Sequence, residues 1–182
     1  MLNPSQPKVG NPAALGLAGF ALTTFLLSCS NAGLLPGSDV WIGFALFYGG
    51  AAQFLAGMWE FAAGNTFGAT AFSSYGAFWM GTAIYVWFFA AKATSVPHDL
   101  AYLLFAWMIF TLYMTIEAVR HAAMPVKAVF VALSITFILL WIGAGFGAPS
   151  MTQAGGWLGI ITAALAWYAS WDVAHKAHPG AA

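Results

Sequence analysis

The chain has 182 residues, of which 62 % are hydrophobic and only 5 % are charged, and its formal net charge is zero. A typical soluble domain carries about 25 % charged residues, so this composition excludes a water-soluble fold and indicates that lipid surrounds most side chains. Zero net charge also gives no electrostatic basis for binding nucleic acid.

The N-terminal segment from Met1 to Gly10 is polar and rich in proline. It lacks the basic region, short apolar stretch and cleavage site of a secretory signal, so we expect no cleaved signal peptide. The first apolar run follows in the stretch NPAALGLAGFALTT, which extends from Asn11 to Thr24. Asn11 is suited to cap a helix and Pro12 to occupy its first turn, so a helix is predicted to start here.

Six apolar stretches along the chain each have about the 20 residues that a helix needs to cross a bilayer. They are residues 13–35, 41–63, 70–91, 100–119, 126–146 and 155–173. All eight prolines fall at or outside the ends of these stretches, where a missing N–H breaks no helical ladder. The short connections leave no room for another domain. We therefore predict an all-α polytopic membrane protein, with residues 1–182 forming a single six-helix transmembrane domain.

Small residues line the second and sixth predicted helices, as expected where helices approach closely in lipid. Six residues of the second helix are spaced alternately three and four residues apart and are therefore predicted to lie on one face: Gly43, Leu46, Gly50, Gln53, Gly57 and Glu60. A similar series on the sixth helix is Gly156, Gly159, Ala163, Ala166 and Ser170. Helix packing explains the glycines, whereas an amide near mid-membrane, such as that of Gln53, either finds a hydrogen-bond partner or lines a polar cavity.

Basic residues in the loops predict the orientation of the helices. The side that holds both termini carries Lys8, Arg120, Lys127 and Lys176, whereas the opposite side carries only Lys92. We therefore expect a multi-pass protein of the cytoplasmic (inner) membrane with both termini in the cytoplasm.

Charged side chains lie at or near the ends of the predicted spans: Asp39, Glu60, Lys92, Asp99, Glu117, Arg120, Lys127 and Asp172. An uncharged membrane centre disfavours a proton-relay pump, a voltage sensor and a cation-selective ring. Hydroxyl groups on the odd-numbered helices indicate a mildly polar path: Thr23, Thr24, Ser28, Ser73, Ser74, Tyr75, Thr82, Ser134 and Thr136. These features favour a small solute held by hydroxyls and backbone N–H groups.

The four histidines all lie in loops or in the C-terminal tail: His98, His121, His175 and His178. None faces another inside the predicted bundle, which disfavours haem and metal sites. We expect no cofactor and no enzymatic activity. The i, i+4 pair of Glu117 and His121 is interpreted as an exposed interface pair.

Several motifs, in order along the chain, resemble the acetate uptake transporter family, the bacterial succinate–acetate permeases. The stretch from Asn11 to Phe20 is similar to the family's N-P-A-P-L-G-L signature, with Ala14 in place of the second proline. Three further segments also resemble the family: LFYGGAAQFLAGMWEF at 46–61, GNTFGATAFSSYGAFW at 64–79 and GGWLGIITAALAWY at 155–168.

The resemblance implies six helices per protomer, arranged as three hairpins around a central pore, and a homohexamer of such protomers. It implies transport of acetate and related short carboxylates such as succinate, either by proton symport or as an anion channel. It also places a hydrophobic constriction at Phe20, Tyr75 and Leu133. Each of these residues would lie about 12 to 14 Å into its helix, and three bulky apolar groups at one depth can form a dewetting gate.

The odd-numbered helices start on the same side, near Asn11, Thr66 and Pro125, and direct partial positive charge toward an approaching carboxylate. Helix capping alone is the simpler explanation of the same residues. The candidate substrate-binding residues are Asn11, Thr23, Thr24, Gln53, Thr66, Ser74 and Ala166. Because no carboxylate lies at mid-membrane, channel-like movement of the anion is favoured over a strict proton relay.

Two other functions remain open at this point. An uncharged six-helix pore would also suit a urea- or amide-type channel for small neutral solutes. A structural or sensory membrane protein would use the small-residue faces only for assembly. That last hypothesis predicts no solute flux, and it predicts that substitutions at Gln53 and Tyr75 are tolerated.

Overall fold

The computed structural model describes residues 9–177, and within them the chain is helical with short connections. In this part of the chain six helices follow one another: α1 Ala13–Asn31, α2 Val40–Ala62, α3 Thr66–Ile84, α4 Val96–His121, α5 Met124–Gly145 and α6 Pro149–Lys176. A π-helical segment, Phe47–Ala52, lies within α2. A second one, Tyr85–Phe89, extends α3 and ends in a 3₁₀ turn, Ala90–Lys92. Lys8 and His178 lie outside the described residues.

Among the described helices, α1, α2, α4 and α5 are long and apolar enough to cross a membrane. The other two contain several glycine, serine and threonine residues, which lower the mean hydropathy. The all-helical architecture of a membrane protein is therefore confirmed. That all six helices span the bilayer stays a prediction.

The helix bounds differ from the predicted spans because caps and prolines, rather than hydropathy, set the ends. The first helix ends at Asn31 instead of residue 35, and Gly33 then adopts a φ of 83°, a left-handed conformation common just after helices. The third begins at Thr66 because the Asn65 side chain caps it. Helices α4 and α6 carry a proline in their first turn and so begin before residues 100 and 155.

Consecutive helices other than α3 and α4 pack closely against each other, and α6 returns to contact α1. The contact between α3 and α4 is made by side chains: the hydroxyls of Tyr75 and Thr111 are 2.8 Å apart, and the ring centroids of Phe78 and Trp107 are 5.0 Å apart. The six helices thereby enclose one main apolar core, to which all six contribute.

Glycines mark the closest helix contacts. A Cβ on Gly156 would lie 2.7 Å from the carbonyl carbon of Asn31, and one on Gly76 would lie 2.9 Å from the carbonyl oxygen of Gly50. Real Cβ atoms essentially never approach so closely, so the α1–α6 and α2–α3 contacts require glycine at these positions.

The predicted face on α2 is correct in its C-terminal half and wrong at its start. Gln53 and Glu60 are buried as the spacing indicates, but Gly43 is exposed, while Trp41 and Ala45 are buried. The π-helical segment Phe47–Ala52 lies between the two halves. Its i to i+5 hydrogen bonds widen one turn and rotate the buried face relative to a regular helix.

Candidate functional site

Three bulky side chains from alternate helices meet in the centre of the core. Phe20 of α1, Tyr75 of α3 and Leu133 of α5 are 5 %, 3 % and 5 % exposed, and they belong to one apolar cluster. The ring centroids of Phe20 and Tyr75 are 5.9 Å apart. These three residues, here called the apolar ring, are those for which a constriction is predicted.

The starts of the helices set the depth of these residues. At the start of α1, Pro12 has helical dihedral angles (φ −70°, ψ −17°), and the Ala13 N–H donates to Asn11 Oδ1 at 3.0 Å. Asn11 therefore caps the helix as predicted. At the start of α3, the Gly68 N–H donates to Asn65 Oδ1 at 3.1 Å. Helix α5 has no side-chain cap and begins with a proline in its first turn.

Tyr75 is fixed by several neighbours from α4. Its hydroxyl forms a hydrogen bond with Thr111 Oγ1 at 2.8 Å, and its ring contacts that of Phe110 edge to face at a centroid distance of 5.3 Å. The Trp107 ring centroid is 5.7 Å from that of Tyr75. This arrangement gives the Tyr75 hydroxyl a hydrogen-bond partner and leaves the aromatic ring of Tyr75 facing Phe20.

A vestibule of about 660 Å³ opens where the N-terminal ends of α1, α3 and α5 converge. Asn11, Asn65, Thr66 and Val126 line it from these helix starts. The C-terminal end of α4 contributes further residues, including the exposed pair Glu117 and His121, which is consistent with the interpretation of that pair. Asn11 and Thr66, predicted as separate candidates, thus share one cavity.

Two small cavities lie on either side of the apolar ring. The lower cavity, of about 20 Å³, shares Leu17, Ala71, Phe72 and Phe130 with the vestibule, and Gln53 also lines it. The upper cavity, of about 40 Å³, is lined by three apolar-ring residues and by polar and apolar side chains beyond them: Thr24, Leu27, Ser28, Asn31, Phe78, Trp79, Thr136, Phe137 and Leu140. Phe20, Tyr75 and Leu133 line both cavities and so separate them.

Not every candidate lies on this path. Among the linings of the vestibule and the two small cavities are Asn11, Thr24, Gln53 and Thr66, but not Thr23, Ser74 or Ala166. The Thr23 hydroxyl donates to the carbonyl oxygen of Gly19 at 3.0 Å. Ser74 is half-buried, and Ala166 is fully buried in the apolar core.

Two residues near this path were not among the candidates. Glu60 lies near the end of α2, as predicted, and its side chain is 1 % exposed and accepts a hydrogen bond from Asn65 Nδ2 at 2.7 Å. Trp79 is 3 % exposed and lines the upper cavity. The short spacing of Glu60 from the predicted helix start near Thr66 is the only sequence signal for the first contact. No local sequence pattern indicates that Trp79 lines the upper cavity.

The sequence model of the GPR1/FUN34/yaaH family matches residues 1–178. The chain is 43 % identical over 170 residues to Ammonia transport outward protein 2 of Saccharomyces cerevisiae, covering 88 % of this chain and 60 % of the yeast protein. It is 41 % identical over 180 residues to Acetate permease A of Emericella nidulans, covering 88 % of this chain and 60 % of that protein. The chain therefore spans about 60 % of the length of these fungal relatives.

Bacterial relatives match over more of their own length. The succinate-acetate/proton symporter SatP of Escherichia coli K12 is 39 % identical over 163 residues, covering 88 % of this chain and 86 % of that protein. The solved structure of the bacterial acetate channel SatP superposes with a TM-score of 0.87 at 36 % identity, covering 93 % of this chain and 94 % of that one.

Proposed function

The chain belongs to the GPR1/FUN34/yaaH family, and we propose on this basis that it transports acetate and related short-chain carboxylates, including succinate, across a membrane. Relatives named for acetate permease and succinate-acetate/proton symport activity support the substrate class. The observation that carries the proposal is the apolar ring of Phe20, Tyr75 and Leu133, which separates two cavities, the lower of which shares residues with an open vestibule.

The geometry suits a small anion with an apolar tail. In the vestibule, the helix starts at Asn11 and Thr66 present backbone N–H groups and partial positive charge to a carboxylate. The apolar ring keeps water out of the narrow centre and contacts the methyl group of acetate as it passes. On either side of the ring, Gln53 and Thr24 provide polar groups for the carboxylate.

We propose that transport is channel-like. Phe20, Tyr75 and Leu133 provide no carboxylate or imidazole at the ring that could take up and release a proton in each cycle. The anion then moves down its electrochemical gradient, and protons follow in parallel. A family that contains proteins named as a channel and as a proton symporter is compatible with either mechanism, so this point needs its own test.

The proposal extends to location and assembly. Arg120, Lys127 and Lys176 lie at the C-terminal end of α4, the start of α5 and the C-terminal end of α6. The basic-residue rule favours a cytoplasmic location for this end and for the vestibule. We further propose a homohexamer in the inner membrane, with the six helices of each protomer forming three hairpins around its own pore. Native mass spectrometry of the detergent-solubilised protein tests the number of protomers.

Uptake of labelled acetate into liposomes that contain the purified protein tests the function. The pH gradient and the membrane potential are imposed separately, and protein-free liposomes measure the leak of acetic acid. Protein-dependent uptake that responds to voltage supports an anion channel. Uptake that follows only the pH gradient with a fixed proton stoichiometry overturns the channel mechanism but leaves acetate as the substrate.

A urea- or amide-type channel is the second candidate, because the apolar ring carries no charge that would select an anion. The same liposomes, loaded with labelled urea, distinguish the two. Urea flux without acetate flux selects the second candidate. No flux of either solute supports a structural or sensory role.

A further inference from the structure

We propose that the Thr24 hydroxyl and the Trp79 indole N–H form a carboxylate-binding site in the upper cavity, directly beyond the apolar ring. This inference rests on the proposed function and assigns Trp79 a role in it. Thr24 comes from α1 and Trp79 from α3, and both line the cavity together with Phe20 and Tyr75.

The first argument is that both polar groups are buried without a partner. Thr24 and Trp79 are 6 % and 3 % exposed, and neither Thr24 Oγ1 nor Trp79 Nε1 has a hydrogen-bond partner among the described residues. Most buried polar atoms in proteins are paired, and leaving a donor unpaired in an apolar interior is unfavourable. Two such groups lining one cavity indicate a ligand that both can bind.

The second argument is that the Thr24 hydroxyl, like the Thr82 hydroxyl, departs from the commonest behaviour of the threonines in these helices. A threonine in an apolar helix commonly donates its hydroxyl to the backbone carbonyl one turn earlier. Thr23, Thr115, Thr136 and Thr162 all do so, at 3.0, 2.7, 2.9 and 2.9 Å. The Thr24 hydroxyl makes no such bond, although it belongs to the same helix as Thr23. It is therefore available to a ligand in the cavity.

The third argument concerns the chemical class of the ligand. The indole N–H of tryptophan only donates hydrogen bonds, and a threonine hydroxyl can also donate. Acting together as donors, the two groups bind an oxygen acceptor such as a carboxylate, and the indole N–H offers nothing to an ammonium group. The upper cavity, of about 40 Å³, has room for about one water molecule. This space suits a carboxylate head whose methyl group still lies between Phe20, Tyr75 and Leu133.

The test uses Thr24→Val and Trp79→Phe, which remove one donor each and keep most of the side-chain volume. In the acetate uptake assay we expect each variant to raise the half-saturating acetate concentration about tenfold, the usual effect of losing one hydrogen bond to a charged acceptor. Thr162→Val and Trp41→Phe are the matched controls. Both residues are buried but lie outside the upper cavity, so their half-saturation stays at the wild-type value.

Thermal unfolding with and without acetate separates this proposal from the proposed function. A ligand that binds the folded protein raises the unfolding temperature, so acetate raises it for the wild type and both controls but not for the double variant Thr24→Val/Trp79→Phe. If the wild type transports acetate and both single variants keep its half-saturating acetate concentration, the binding site is overturned and the function stands. If the wild type transports no acetate, but acetate raises its unfolding temperature and does not raise that of the double variant, the function is overturned and the site is supported.

Discussion

The rings of Phe20 and Tyr75 contact each other at a centroid distance of 5.9 Å, and this contact lies between the two small cavities of the core. Both rings are almost fully buried, and Leu133 completes the contact from α5. An aromatic pair on α1 and α3 therefore forms part of the barrier between the lower cavity, next to the vestibule, and the upper cavity.

Truncation of the apolar ring should widen the passage. We expect Phe20→Ala and Leu133→Ala to increase protein-dependent acetate flux severalfold and to admit longer carboxylates, because a wider opening no longer excludes water from the centre. Phe25→Ala is the control on the same helix, since the Phe25 ring contacts Trp167 of α6 at a centroid distance of 5.4 Å and lies outside both cavities. Unchanged flux and selectivity in both ring variants would rule out the constriction.

The hydrogen bond between Tyr75 and Thr111 should stabilise the fold rather than set the selectivity. We expect Thr111→Val to destabilise the protein by about 1 to 3 kcal/mol, because it leaves a buried phenol hydroxyl unpaired. The double variant Thr111→Val/Tyr75→Phe should recover most of that loss, since both polar groups are then absent. Thermal unfolding in detergent measures all three proteins. A double variant no more stable than Thr111→Val would contradict the assignment.

Two glycines on α3 should respond in opposite ways to alanine. A Cβ on Gly76 would lie 2.7 Å from the backbone nitrogen of Phe54, so Gly76→Ala should destabilise the α2–α3 contact by about 1 to 3 kcal/mol or more. Apart from its chain neighbours and the backbone of its own helix, no heavy atom of the described residues lies within 4 Å of the Cβ position at Gly81. Gly81→Ala should therefore be at least as stable as the wild type, because alanine favours the helix. Equal unfolding temperatures for the two variants would argue against the close contact.

The cap of α3 depends on an amide that donates as well as accepts. Asn65→Asp keeps an acceptor for the Gly68 N–H but replaces the Nδ2 that donates to Glu60, so two carboxylates face each other at about the 2.7 Å of the original hydrogen bond. We expect a loss of about 1 to 3 kcal/mol near neutral pH. The loss should shrink as the pH is lowered, because protonation of one carboxylate removes the repulsion and restores a donor.

Asn11→Asp is the matched control for this substitution. Asn11 caps α1 by accepting from the Ala13 N–H, and its own side chain is exposed. An aspartate there keeps the cap and also favours the positive end of the helix. Unfolding curves recorded over a range of pH check both variants, and equal pH dependence would contradict the contact between residues 60 and 65.

The start of α1 and the apolar ring could be predicted from sequence because local signals and family motifs determine them. Asn11 and Pro12 act within one turn of the helix that they begin, and hydropathy adds the rest of the span. Phe20, Tyr75 and Leu133 followed from motif resemblance, and the structure brings them together. That they control passage stays a prediction.

The remaining features depend on contacts between helices that no single stretch of sequence contains. The burial of Glu60 depends on how α2 meets the start of α3, and the unpaired groups of Thr24 and Trp79 come from two different helices. Thr23 and Thr24 are adjacent and chemically identical, yet only the first bonds to its own helix. Spacing alone therefore could not separate the residue on the path from its neighbour.

The π-helical segment of α2 also determines how this helix would tolerate insertions and deletions. A single widened turn accommodates about one residue more than a regular helix of the same length. Removing one residue from Phe47–Ala52 should restore a regular helix and leave Trp41 and Ala45 on the same face as Gln53, because the widened turn holds the extra residue. Relatives that lack the extra residue would then bury the equivalents of Trp41 and Ala45 one position nearer to Gln53 in sequence. A one-residue gap in an alignment here would mark the loss of the widened turn rather than the loss of a loop.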